Sequence, residues 1–154
     1  MHLTAPSRCH RAAYRRFLRE FRRAGEDEIH GLYVKPRSYR EFLRSHAAGK
    51  YFLMEEGRRD ILGIVAFYEL DEKERRLDGD IAFSIVPSAR GRGLGRQQLA
   101  LALALCREKG VEKLCITCRR ENLGSVKIIL ANGGELTEEF THKGVQRQVY
   151  WVRL

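Results

Sequence analysis

Apolar and polar positions follow two periods along this chain, and each change of period marks an element. Over residues 7–24, Tyr14, Phe17, Leu18 and Phe21 fall at i, i+3, i+4 and i+7. One apolar stripe at that spacing predicts a helix, and Gly25 supplies its stop. Residues 3–5 read as a short strand ahead of it. A loop containing Gly31 and Pro36 leads to Ser38, which has Glu41 three residues on. That is capping-box spacing, and it opens a helix to residue 48, closed by Gly49. Residues 51–55, 61–70 and 80–86 read as strands. The first two are joined by a tight turn at 57–59, the last two by the charged stretch 71–78 taken as a hairpin loop, so the three predict an antiparallel meander.

Residues 99–105 alternate leucine and alanine strictly, a period of two. Helix is nonetheless the reading for 94–106, because both residues are strong helix formers, none there is β-branched, and Gly110 follows as a stop. Residues 113–118 then predict a strand running parallel to 80–86 through a right-handed crossover. A second helix over 122–131 ends at Asn132-Gly133-Gly134. Residues 135–140 and 146–154 make a closing hairpin around 141–144. The expected class is α/β in the mixed α+β sense, a mostly antiparallel sheet flanked by helices, built as a single domain over 1–154.

The stretch joining the strand 80–86 to the helix after it carries the chemistry. Beyond Ile85, Val86 and Pro87 it reads Arg90-Gly91-Arg92-Gly93-Leu94-Gly95-Arg96. Strand, glycine turn and helix together aim free backbone N–H groups at an anion, and three arginines stand in the same turn. The stretch therefore reads as the site of a phosphorylated cofactor. It is not a P-loop, which needs a Gly-Lys pair. It is not the dinucleotide fingerprint either, since position 96 is arginine and residues 113–118 supply no acid.

Composition narrows the picture further. The chain has 154 residues and a net charge of +9, with 22 arginines against 7 lysines. Such a balance suits an anionic ligand, nucleic acid or an acidic substrate. Arg11, Arg15, Arg19 and Arg22 share one face of the first helix. With no aromatic interleaving, they read as a solvated face rather than a nucleic-acid surface. Cys115 and Cys118 have C-x-x-C spacing but lie within a strand-like run, and with Cys9 and Cys106 they read as structural thiols in a reducing cytoplasm. His142 reads as a turn residue, and His30 and His46 have no ligand spacing, so no metal is expected. No apolar run is long enough to cross a bilayer.

With R-x-x-G-x-G at Arg90, Gly93 and Gly95, Thr117-Cys118 ending a strand, then Asn122, Ser125 and Asn132-Gly133-Gly134, the chain resembles the GNAT acyltransferase superfamily. The element order matches from end to end, and the C-terminal half through Tyr150-Trp151 resembles a bacterial branch of predicted acetyltransferases. The resemblance implies acetyl-CoA as cosubstrate and an amine as acceptor, acetylated by direct attack in a ternary complex. It implies that Ile85 and Val86 offer backbone groups to the pantetheine arm and thioester, that the amides of Gly91, Arg92, Gly93, Leu94, Gly95 and Arg96 hold the pyrophosphate, and that Asn122 and Ser125 lie on the cofactor side. The family's frequent tyrosine acid falls at Ile129, leaving Tyr150 and Tyr68 as candidates, and the phenylalanine expected after Gly133 is Gly134.

For the general base the resemblance points first to Asp80 and second to Glu69; either could equally be a solvated strand-end carboxylate. The acceptor is a small metabolite, a peptide N-terminus or a lysine. Its pocket falls to the N-terminal helices and residues 24–49, and the positive charge leans toward an anionic acceptor. The alternative is a non-catalytic module of the same fold that binds coenzyme A, or nucleic acid through its basic surface. The edge 146–154 could pair with a second copy.

Overall fold

The computed structural model describes residues 1–32 and 36–154; the part of the predicted loop at 33–35 lies outside the described residues. The chain forms two compact units, Met1–Phe67 with Phe83–Gln98, and Tyr68–Ala82 with Leu99–Leu154.

The first unit opens with strand β1 (His2–Thr4) and a 3-10 turn (Arg8–His10), followed by helix α1 (Arg11–Arg23). The helix is thus shorter than 7–24, because Ser7 caps the 3-10 turn instead. Its buried residues are Ala13, Tyr14, Phe17 and Phe21, the stripe the periodicity marks. Ser38 caps a short helical segment, α2 (Tyr39–Glu41), by accepting the Glu41 N–H, and a wide π-type turn (Phe42–His46) continues it. Tyr14 lies 4.8 Å from Phe42 and 4.9 Å from Tyr39, centroid to centroid, and Phe42 lies 6.0 Å from Phe52. This aromatic cluster holds α1 and α2 on strand β2 (Lys50–Met54). Aromatic contacts of that kind add about 0.5–1.5 kcal/mol each beyond area burial.

Strand β3 (Ile61–Phe67) pairs antiparallel with β2, and β4 (Ile81–Ile85) completes a sheet of order β1-β2-β3-β4. Gly63 on β3 makes room for Gln98. A Cβ at Gly63 would lie 2.6 Å from Gln98 Nε2 and 2.7 Å from the Ser84 carbonyl oxygen. The first turns of helix α4 (Leu94–Glu108) are thereby held close to the sheet.

In the second unit, residues 71–78 are not a hairpin loop. They contain helix α3 (Glu72–Asp78), capped by Asp71, whose carboxylate accepts the Glu74 N–H at 2.8 Å. Acids in the first turn and Arg75 and Arg76 in the last suit the helix dipole. The link from β3 to β4 is therefore helical. Strand β5 (Lys113–Arg119) finds its ladder partner in β7 (Val145–Arg153), antiparallel from Lys113↔Arg153 to Arg119↔Arg147. Strand β6 (Glu135–His142) flanks β7 on its other side, giving the order β5-β7-β6.

The β6–β7 turn is the two residues Lys143 and Gly144, with φ of 49° and 79°, the left-handed pair a type I′ hairpin requires. His142 is the last residue of β6 rather than part of the turn. Helix α5 (Leu123–Leu130) ends with Gly133 N–H on Leu130 and Gly134 N–H on the Ile129 carbonyl. Mixed α/β with antiparallel sheets is the class the sequence predicts, realised as two hydrogen-bonded sheets.

Candidate functional site

The glycine stretch lies in the first unit. Strand β4 ends at Ile85, and Pro87–Ala89 forms a 3-10 turn. Gly91 and Gly93 have φ of 75° and 76°, and a Cβ at either would meet open space. Glycine is required there for backbone conformation rather than for packing. The turn delivers the chain into the first turn of α4, whose leading N–H groups have no intrahelical partner. Among the described residues, the N–H groups of Gly91, Arg92, Gly93, Leu94 and Gly95 donate to no protein acceptor; the first bond of the series is Gln97 N–H to the Gly93 carbonyl. Free N–H groups at the positive end of a 15-residue helix suit an anion.

The arginines of the stretch have separate roles. Arg90 Nε donates to the Ile85 carbonyl at 3.0 Å, and its two terminal nitrogens grip Glu26 at 2.6 and 2.7 Å. It therefore clamps the turn to the segment after α1, and the guanidinium draws the Glu26 carboxyl below its ordinary pKa of 4.5. Arg92 is exposed and has no partner among the described residues. Arg96 is exposed on the first turn of α4. At the strand end, Val86 N–H donates to the Leu62 carbonyl at 2.9 Å, and the Val86 carbonyl accepts from Ala89. Those backbone groups are already engaged.

A second feature of the first unit was not assembled from the sequence. A cleft of about 980 Å3 is lined by Arg8, Arg11 and Arg15 at the start of α1, and by Arg37, Arg40 and Arg44 around α2. Among the described residues no acidic one lines it. Among the described residues none of the six guanidinium groups has an ion-pair or hydrogen-bond partner. Tyr14 is 2% exposed and lines the same cleft, and its hydroxyl has no partner among the described residues. Burial holds that hydroxyl protonated, pushing its pKa well up; burial likewise pushes Tyr39 up to about 12. The signal was present in sequence: each triplet has i, i+3, i+7 spacing. Arg11 and Arg15 were read as a solvated face because their facing row lies in a segment without regular periodicity.

The remaining candidates lie in the second unit. Asp80 accepts from Arg75 Nε at 2.6 Å through one oxygen and from the Cys115 N–H at 2.9 Å through the other. Its own N–H donates to the Cys115 carbonyl, and its carbonyl accepts from Tyr68 N–H. Asp80 thus staples α3 and β5 together, and the pairing raises the Arg75 pKa. Glu69 is exposed, with no side-chain partner among the described residues. Asn122 caps α5, its Oδ1 accepting from Ser125 N–H at 3.1 Å. Ile129 is fully buried. Tyr150, 2% exposed, donates its hydroxyl proton to Gln148 Oε1 at 2.8 Å, and burial raises its pKa. Burial also pushes the Cys115 and Cys118 thiols up to about 11, and all four cysteines are free. Among the described residues no cluster of His, Cys, Asp or Glu could hold a metal ion, and no helix is long and apolar enough to cross a membrane.

The fold is a mixed α/β chain with antiparallel sheets, in which a glycine turn joins a strand to a long helix. The sequence matches the family model described as the acetyltransferase (GNAT) domain over residues 7–135, and the chain belongs to that family. Among solved structures, an N-acetyltransferase from Staphylococcus aureus is similar with a TM-score of 0.72 at 16% identity, over 98% of this chain and 96% of that one. A GNAT-family acetyltransferase from Bacillus anthracis matches with a TM-score of 0.63 at 16% identity, over 75% and 73%. A Salmonella typhimurium protein proposed to be an acetyltransferase, solved with its cofactor acetyl-CoA, matches with a TM-score of 0.55 at 17% identity, over 68% and 63%. At these identities the likeness is one of fold. No match emerges among curated proteins.

Proposed function

We propose that this protein is an acetyl-CoA-dependent N-acetyltransferase, acting as one domain, which moves an acetyl group to an amine by direct attack in a ternary complex. The observation that carries the reading is the row of unpartnered N–H groups from Gly91 to Gly95 at the start of α4, in a chain of the acetyltransferase (GNAT) family. The residues fit the group. A pyrophosphate carries the negative charge that those N–H groups suit, and Arg92, in the same turn, has no partner among the described residues. Bound acetyl-CoA would supply an activated acetyl thioester. The chain's own tasks are to hold the diphosphate, to position the acceptor, and to take the proton that leaves the ammonium group.

Of the two carboxylates, Glu69 is the better base. Both oxygens of Asp80 already accept hydrogen bonds, whereas Glu69 is exposed. Asn122 and Ser125, at the start of α5, are cofactor-side candidates on the family's pattern alone. No tyrosine acid is assigned, because position 129 is isoleucine and the Tyr150 proton is committed to Gln148. That same observation favours a second reading, binding of coenzyme A without transfer.

A thermal melt with saturating acetyl-CoA, and adenosine monophosphate as control, tests the cofactor site. At about a hundred times its dissociation constant a ligand adds about 2.7 kcal/mol to stability. A rise with acetyl-CoA alone is expected, and no rise in a folded protein would remove the cofactor from the proposal. A rise without acetylation of any amine in a broad panel would leave the binding module.

A further inference from the structure

We propose that the arginine-lined cleft of the first unit seats an acidic, carboxylate-rich segment of a polypeptide that carries the acceptor amine. The inference rests on the acetyltransferase reading for the word acceptor, and on the cleft alone for the ligand's chemistry.

The charge is unusual in its isolation. Arg8 lies in the 3-10 turn and Arg11 and Arg15 on α1, while Arg37 precedes α2, Arg40 lies in it and Arg44 in the π-type turn after it. Like charges at i, i+3 and i, i+4 each cost a few tenths of a kcal/mol, and here no acid among the described lining residues offsets them. Elsewhere in the same unit some arginines are matched, Arg16 with Asp60 at 2.8 Å and Arg90 with Glu26. What sets these six apart is that they line one cleft with no acid among its described lining residues, and such a surface is complementary to an anion that arrives from outside. Tyr14 adds an independent sign. Tyr14 lines the cleft, and its buried hydroxyl has no partner among the described residues, a group that gains from any acceptor that reaches it.

The form of the cleft selects the class of anion. Two groups of guanidinium-bearing residues line it, one at the start of α1 and one around α2, with Arg11 and Arg15 about 6 Å apart along the helix. An extended peptide sends alternate side chains to opposite faces, with a repeat of about 6.8 Å on each. Consecutive acidic residues therefore meet both groups at once, and each carboxylate suits the planar fork of an arginine. A nucleic-acid strand would charge one edge only and needs exposed aromatic platforms for its bases. The described aromatics of the cleft, Tyr14 and Tyr39, are 2% and 7% exposed and are stacked into the core. A volume of about 980 Å3 admits a short segment rather than a folded surface.

Fluorescence anisotropy tests this with a short labelled peptide rich in glutamate, the same peptide with glutamine in place of glutamate, and a short single-stranded RNA. The glutamate peptide is expected to bind at least about tenfold more tightly than either control. Arg11→Glu with Arg40→Glu is expected to weaken it by about tenfold or more, while the exposed pair Arg107→Glu with Arg153→Glu, equal in charge change, shifts it less than about twofold. Arg15→Glu with Arg44→Glu repeats the test should the first pair not fold. Equal binding of the glutamine peptide, tighter binding of RNA, or equal loss in the Arg107 and Arg153 control overturns the proposal. The acetyl-CoA melt of the cleft variants reads the other question: a retained rise with lost peptide binding supports both readings. Peptide binding without any rise fails the cofactor reading and leaves the cleft's ligand in place.

Discussion

Ile129 and Gly134 are two departures from the residues the family resemblance leads one to expect, and the structure makes them one. A Cβ built on Gly134 would lie 2.3 Å from Ile129 Cγ2 and 3.0 Å from its carbonyl oxygen. A fully buried branched side chain therefore occupies the space that a larger residue at 134 would need. Gly134→Ala is expected to destabilise the protein by about 1–3 kcal/mol through overpacking. Ile129→Ala in the same chain should recover part of that loss, so a double-mutant cycle by denaturant melts reads a favourable coupling; additive costs would dissociate the two positions.

The carboxylates separate in the same way. Asp80→Ala leaves the Arg75 guanidinium and the Cys115 N–H without their acceptor, so it is expected to lower the melting temperature by an amount worth about 1–3 kcal/mol. Glu69→Gln should leave the melt unchanged and lower turnover by about 10²-fold or more. A stability effect at Glu69, or unchanged turnover, would end its assignment as base. Sequence marked both acids because each sits at a strand end. What it did not carry is that Arg75 and Cys115, five and thirty-five residues away, take up one of them, a fact of packing rather than of local pattern.

At the scale of elements, local signals carried most of the reading where they were strong. The stripe Tyr14, Phe17, Phe21 gave α1, and composition overruled the period-two pattern to give α4. Helix α3 was missed although Asp71 and Glu74 have cap spacing, because seven charged residues without an apolar stripe resemble a loop. The Arg90 clamp was hidden too, since its partner Glu26 lies 64 residues earlier. That clamp has a pH signature. Glu26 is held below its ordinary value of 4.5 in the folded state, so its contribution is present above that pH and is lost as pH falls through the folded value. Both partners are partly exposed, 46% and 35%, which limits the pair to about 1 kcal/mol. Glu26→Gln is expected to flatten the acid limb of the melting-temperature profile below about pH 4.5 while leaving less stability at neutral pH; an unchanged acid limb would mean the clamp carries no net energy.

For the molecule as a whole, charge was legible as a total and illegible as a pattern. The excess of +9 and the 22 arginines stand in the composition, but that six of them meet with no acid among the described lining residues is visible only once α1 and α2 are packed through Tyr14, Tyr39 and Phe42. The glycine stretch is the opposite case. Its conformation is dictated by Gly91 and Gly93 themselves, so residue identity and spacing sufficed to find it.

The choice of arginine over lysine in the cleft has a chemical consequence for an acetyltransferase. A lysine beside an acceptor seat is itself an amine and, when it loses its proton, a nucleophile open to the reaction meant for its guest. A guanidinium stays protonated above pH 12 and offers no free lone pair. The six described cations that line the cleft are all of that kind. In the proposed seat for an acidic segment, the charge these six supply is thus inert toward acetyl donors.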